Sequence, residues 1–162
     1  VLESGTQISK SAKNAGKEVL VFLIGHSQGG QNAWQFCFDT KHRITGLICL
    51  GSPLDLSEPM FLDPPYGQTP TGVDFVMNFW CGLDVVSSKL GVPDHPSESI
   101  RGVEDVEVVL PWWSPIRFIK RFNKRGFLGI AWATARAHLY YWRSDVVYAK
   151  IAGKINRYLS SS

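Results

Sequence analysis

Residues 19–30 read VLVFLIGHSQGG. Six apolar residues, Val19 to Ile24, form a run of strand length, and the run from Glu18 to Ile24 predicts a strand buried on both faces. The run stops at Gly25-His26-Ser27-Gln28-Gly29-Gly30. From Gln28 to about Lys41 the apolar residues Ala33, Trp34, Cys37 and Phe36 recur on one side of a helix. A serine between two glycines therefore sits where a strand ends and a helix begins. With 15 glycines in 162 residues, G-x-S-x-G is expected by chance roughly 0.13 times in such a chain. The motif alone decides little, and its placement decides more. In a strand-to-helix turn this tight, the serine backbone is strained and the residues two before and two after it meet. Gly25 and Gly29 are expected to remove side chains that would clash. The bland alternative is a Gly-Ser turn that merely starts a helix.

The surrounding chain supplies the rest of an α/β pattern. Ile44 to Leu50 (ITGLICL), Val73 to Trp80 (VDFVMNFW) and Val103 to Leu110 (VEDVEVVL) read as three further strands. A helix is expected to end at Gly16 and a short one to cover Val85 to Leu90. A final helix, with Ser144 as its cap, runs to about Leu159 and places Val147, Ile151, Ile155 and Tyr158 or Leu159 on one face. Residues 51–72 and 92–102 read as loops rich in Pro and Gly. Apolar strands joined by helices or long connections predict a mostly parallel sheet with flanking helices. Ligands of open sheets bind beyond the carboxyl ends of the strands.

Composition sets the limits. A chain of 162 residues with 44% hydrophobic residues is large enough for one domain with a core. A net charge of +3 does not by itself imply nucleic acid. No apolar run reaches the ~18 residues of a membrane span. The three cysteines, Cys37, Cys49 and Cys81, lie in apolar surroundings. They read as buried free thiols rather than a disulfide, which leans towards a reducing compartment such as the cytoplasm. A place at the periphery of a membrane is the other leaning, and the localisation itself is not fixed by the sequence.

A serine hydroxyl needs a base, and the base needs an orienting acid. Of His26, His42, His95 and His138, His138 stands best, after the fourth strand and before the last helix. His95 is the reserve. His26 lies inside the turn with its side chain pointing away from that of Ser27, and His42 falls at the amino end of the sheet. For the acid, Asp84 follows the third strand in Cys81-Gly82-Leu83-Asp84. Asp55, in GSPLD, and Asp94 are the alternatives.

The order Ser27, Asp84, His138 resembles that of the α/β-hydrolase superfamily. The resemblance rests on GHSQGG, LGSP, NFWCGLDVV and AHLYYWRSDVVYAKI, and together these span about residues 18–160. The wording is similar to the lipase and esterase branch. That resemblance implies cleavage of acyl or lipid esters: His138 as base, Asp84 orienting it, the Gln28 N–H in the oxyanion hole, and no metal or organic cofactor. Thioesters and amides stay open as substrates, as does a non-catalytic module of this fold that binds lipid or a partner. Family members carry more strands before this turn and a second oxyanion donor on an early loop. Only ~17 residues precede the strand here. The expectation is a partial α/β-hydrolase fold, a single domain over 1–162 lacking N-terminal strands. Its first strand would lie on an unpaired edge, and the isolated polypeptide would be poorly soluble or inactive.

Residues 111–137 add a basic insertion, read as a lid or cap. Ser114 and Pro115 suit a helix start and Gly126 a stop. At about 100° per residue, Ile116, Phe118, Ile119 and Phe122 share one arc, while Arg117, Lys120, Arg121, Lys124 and Arg125 fill the other. Trp112 and Trp113 precede it. Trp112, Trp113, Phe118 and Phe122 are the candidate substrate-facing residues, and an anionic membrane surface is the candidate partner. No recognition motif for nucleic acid accompanies the charge. In a cap packed over the site, its charges are simply solvated. Read as an interfacial lid, the segment is expected to carry the protein onto anionic but not neutral vesicles, with binding lost on charge reversal at Lys120 and Lys124. Equal binding to both vesicle types counts against the electrostatic contribution.

Overall fold

In the computed structural model, residues 18–54, 69–84, 86–87, 90, 102–111 and 134–161 are described. Their elements are β1 (Phe22–His26), α1 (Gln28–Asp39), β2 (Ile44–Leu50), β3 (Val73–Trp80), β4 (Val103–Glu107) and α2 (Asp145–Ser161). A helical stretch over 134–140 runs into a 3-10 turn, Tyr141–Arg143, before α2. The four strands form one sheet in the order β1-β2-β3-β4, and every pair is parallel. The protein is thus an α/β protein with a parallel sheet and flanking helices.

β2 explains the layering. All seven of its residues are buried, because it has a strand on each side and a layer on each face. Leu47 and Cys49 meet Trp34 and Cys37 of α1, with Ala33 and Phe36 packed around them. Ile48 and Leu50 point the other way and join Met77, Phe79, Ala137, Tyr141 and Val147. A parallel sheet needs such cover on both faces, since its crossovers return over them.

β1 differs from the expected strand in two respects. It begins later, at Phe22, and continues through the glycine to His26, which pairs with Leu50. Before Phe22 the regular ladder gives way. Thr45 and Gly46 both donate N–H to the Val21 carbonyl, while the Val21 N–H donates to Thr45 Oγ1. β1 is also not buried on both faces. Among the described residues it pairs only with β2, and its Ile24 is 51% exposed. β4 ends three residues early. The Val108 N–H still reaches the Trp80 carbonyl at 2.7 Å, but Val109 is already exposed.

Ser144, in extended conformation, precedes α2. The inward stripe of that helix is Val147, Ile151, Ile155 and Tyr158, with Leu159 facing solvent. Tyr158 donates to Asp74 at the start of β3. The same carboxylate is held by the Arg43 guanidinium, and that hydrogen bond keeps it below the usual carboxylate range. Lys154 pairs with Glu104 at 2.8 Å and lies over the Phe75 ring. These contacts fasten α2 across β3 and β4.

The expected helix before Gly16, most of the two loops, and most of the basic insertion, with Trp112, Trp113, Phe118 and Phe122, lie outside the described residues, while the insertion's last four residues, 134–137, begin the helical stretch. Of the expected short helix at 85–90, the described residues show turns instead, with Asp84 and Ser87 donating N–H to Cys81 and Asp84 carbonyls. No helix among the described residues is long and apolar enough to cross a membrane.

Cys37, Cys49 and Cys81 are free thiols, all buried. Burial disfavours each thiolate and pushes Cys37 up to about 11. An aqueous thiol reagent at mild pH is therefore expected to modify none of them in the folded protein and all three in denaturant. For Cys37 the thiolate fraction alone accounts for a slowing of about 100-fold. Fast modification of the folded protein contradicts this packing.

Candidate active site

Ser27 has φ 55° and ψ −130°, and it is the only non-glycine residue of positive φ among the described residues. Its two backbone groups explain the geometry. The Ser27 N–H donates to the Leu50 carbonyl at 3.0 Å, prolonging the β1–β2 ladder. The Ser27 carbonyl accepts from the Gly30 N–H at 2.9 Å, opening α1. One residue must serve sheet and helix at once, and only a left-handed φ turns the chain that sharply. Such a conformation costs on the order of 1–3 kcal/mol. Gln28 is the first residue of α1, so its N–H has no acceptor within the helix.

The glycines divide differently from the expectation. A Cβ on Gly25 would stand 2.4 Å from the Gly29 carbonyl oxygen, so that glycine is required by close backbone approach. A Cβ on Gly29 would meet nothing within 4 Å, because the Gly29 side points outward. Gly30 is the second constrained position. Its Cβ would lie 1.8 Å from Ser52 Oγ, where the chain leaves β2.

β3 delivers the acid. Past Trp80 the chain turns through Cys81 and Asp84, and the Asp84 side chain is fully buried. Its Oδ1 accepts from the Val86 N–H at 3.0 Å. Its Oδ2 accepts from His138 Nδ1 at 2.9 Å and from the Tyr141 hydroxyl at 3.0 Å. His138 and Tyr141 lie three residues apart, so one helical turn presents both donors to one oxygen. Behind Tyr141, Ser87 Oγ stands at 2.8 Å and accepts in turn from the Cys81 N–H. Each hydroxyl has one proton, so the chain runs one way, from Cys81 through Ser87 and Tyr141 to Asp84. Burial pushes the Tyr141 phenol well above its ordinary range, which keeps it a donor. Gly51, at φ 55°, lets β2 pass: a Cβ there would stand 2.5 Å from the Tyr141 ring and 3.0 Å from Asp84 Oδ2.

With Nδ1–H committed to Asp84, a neutral His138 carries its lone pair on Nε2. The ring is 16% exposed. It lies 4.6 Å, centroid to centroid, from the ring of His26, the neighbour of Ser27. The structure thus joins Asp84 to His138 and brings His138 to the end of β1. It places no hydrogen bond between Ser27 Oγ and His138. Asp55, Asp94 and His95 fall outside the described residues. His42 precedes β2, at the opposite end of the sheet.

Sequence reasoning missed Tyr141, Ser87 and the contact made by His26. The run of aromatic residues after His138 carried the one available signal for Tyr141. Among the described residues no group of three or more His, Cys, Asp or Glu converges as metal ligands would. Comparison with protein-family models, with curated proteins and with solved structures returned no match.

Three alanine substitutions test the turn. Gly25→Ala is expected to destabilise by about 1–3 kcal/mol or more, since backbone must shift. Gly30→Ala should cost about as much, unless Ser52 is also made glycine. Gly29→Ala should be neutral or stabilise by a few tenths to about 1 kcal/mol, as expected within a helix. Denaturant unfolding of the three variants gives the order. A Gly29 variant as damaged as the Gly25 variant contradicts this geometry.

Proposed function

We propose that the chain is a serine hydrolase of the α/β-hydrolase kind, acting on acyl or lipid esters through Ser27, His138 and Asp84. The observation that carries the proposal is the Asp84–His138 couple. A fully buried carboxylate holds Nδ1 of a part-exposed histidine, beside a serine in strained strand-to-helix geometry. Neither feature is needed to build a parallel sheet, and serine acyl transfer on a fold of this kind uses both.

In this reading His138 Nε2 takes the hydroxyl proton as Ser27 Oγ bonds to the ester carbonyl carbon. The carbonyl oxygen becomes an oxyanion beside the Gln28 N–H, at the positive end of α1. His138 then gives its proton to the departing alkoxide, and an acyl-serine remains. Water attacks that acyl group as His138 takes its proton, and the acid leaves when the proton returns to Ser27. Asp84 stays a carboxylate and keeps His138 in the tautomer with Nε2 bare. Thioesters and amides pass through the same steps with a different leaving group.

The absent hydrogen bond between Ser27 and His138 favours a second reading, a non-catalytic module of the same fold. In serine hydrolases such a bond commonly tightens only once substrate is bound, which is compatible with the enzyme reading. A fluorophosphonate probe separates the two. The native protein is expected to be labelled covalently and Ser27→Ala not at all. Asp84→Asn should slow labelling on the order of 10³- to 10⁴-fold, because the wrong nitrogen of His138 then carries the proton. A folded native protein that takes no label overturns the enzyme reading.

A further inference from the structure

We infer that His26 is a positioning residue for His138, setting where the base stands relative to the nucleophile. The inference rests on the serine hydrolase reading above and adds a residue to it. His26 Nε2 lies 2.8 Å from the main-chain carbonyl of His138. A carbonyl oxygen only accepts, so the proton is on His26 Nε2 and the bond runs from His26 to His138. His138 stands among the last carbonyls of its helical stretch, where no further turn of α-helix supplies donors. The two imidazoles also pack at 4.6 Å, and the Trp142 ring closes on His26 edge-on at 5.6 Å.

The placement gives this bond its meaning. Ser27 and His138 share no hydrogen bond, so contact between their own side chains does not set their separation. Two other bonds do. Asp84 holds the His138 ring from the end of β3. His26 holds the His138 backbone from the end of β1, the strand that carries Ser27. Among the described residues, the bond from His26 is the hydrogen bond that ties the base to the strand of the nucleophile. The Ser27 backbone is itself fixed by Leu50 and by α1, so one side chain spans the two partners. Loss of that tether leaves His138 held by Asp84 and by its own helical turn but no longer referred to β1, and small misplacements at a reacting centre are costly.

The test uses the rate of fluorophosphonate labelling of the native protein, with Ser27→Ala as blank. His26→Phe keeps a ring of similar size and removes the donor; labelling should slow by about 10- to 100-fold. His26→Gln can set an amide N–H where Nε2 stands and should recover most of the wild-type rate. His26→Asn sets its amide at the Nδ1 position, falls short of the carbonyl, and should behave as the Phe variant. The Gln-against-Asn comparison decides the matter should His26→Phe fail to fold. Nitrogen-edited NMR of the wild type supplies a reading independent of activity, with the His26 proton expected on Nε2. Labelling indifferent to His26→Phe, Gln and Asn variants that fall equally, or a His26 proton on Nδ1 overturns the positioning role alone. A wild type that takes no label although His26 Nε2–H is hydrogen-bonded overturns the hydrolase reading and the positioning role with it.

Discussion

The carboxyl end of the sheet is organised around one buried carboxylate. Taking the Asp84 side chain out of water is costly unless donors replace the lost hydration. Three donors do so, and each comes from a different place: Val86 from its own turn, His138 from the helical stretch, and Tyr141 from the turn that follows. The requirement reaches further than the contacts. Tyr141 needs room for its ring, which Gly51 leaves by its positive φ and missing Cβ. Its hydroxyl needs a donor behind it, which Ser87 supplies. The ends of β2 and β3 and the start of α2 are thereby placed by one functional group. An apolar residue at position 84 would ask for none of this.

The other costly feature of the rim is the backbone of Ser27. Strain there is held by hydrogen bonds on both sides, to Leu50 and from Gly30. Those bonds belong to β1–β2 pairing and to the first turn of α1, so relaxing Ser27 would disturb one element or the other. Strain and buried charge meet within one rim, while β2 and its two apolar layers supply the stability that tolerates them. Ser27 and Asp84 stand on turns just past β1 and β3, and the strands hold those turns at fixed separations, while His138 comes from the helical stretch.

Much of this was legible in the residues, for identifiable reasons. β2 and β3 have the bounds expected of them because both are interior strands, where apolar runs and strand limits coincide. β1 and β4 shifted because each pairs on one side only among the described residues, so it ends where that pairing ends, and pairing such as His26 with Leu50 is set by a neighbour far along the chain. Ser27, Asp84 and His138 could be picked out by type and by their place after strands. The contacts around them could not. Which glycine of the Gly29-Gly30 pair is constrained depends on Ser52 arriving beside it from β2. The link from His26 to His138 spans more than a hundred positions, and no local pattern encodes it. Tyr141 sits among several aromatic residues, and only docking of the helical stretch selects it.

The close approach of Gly30 and Ser52 also bears on how such a chain can change over generations. With Ser52 Oγ only 1.8 Å from where Gly30 would carry a Cβ, a side chain at 30 is costly while Ser52 keeps its own. A lineage gains a side chain at 30 at least cost when it has already lost the one at 52. Gly29, its immediate neighbour, is open to drift. Two adjacent glycines that look interchangeable on paper would thus have separate histories, one tied to a distant partner and one free.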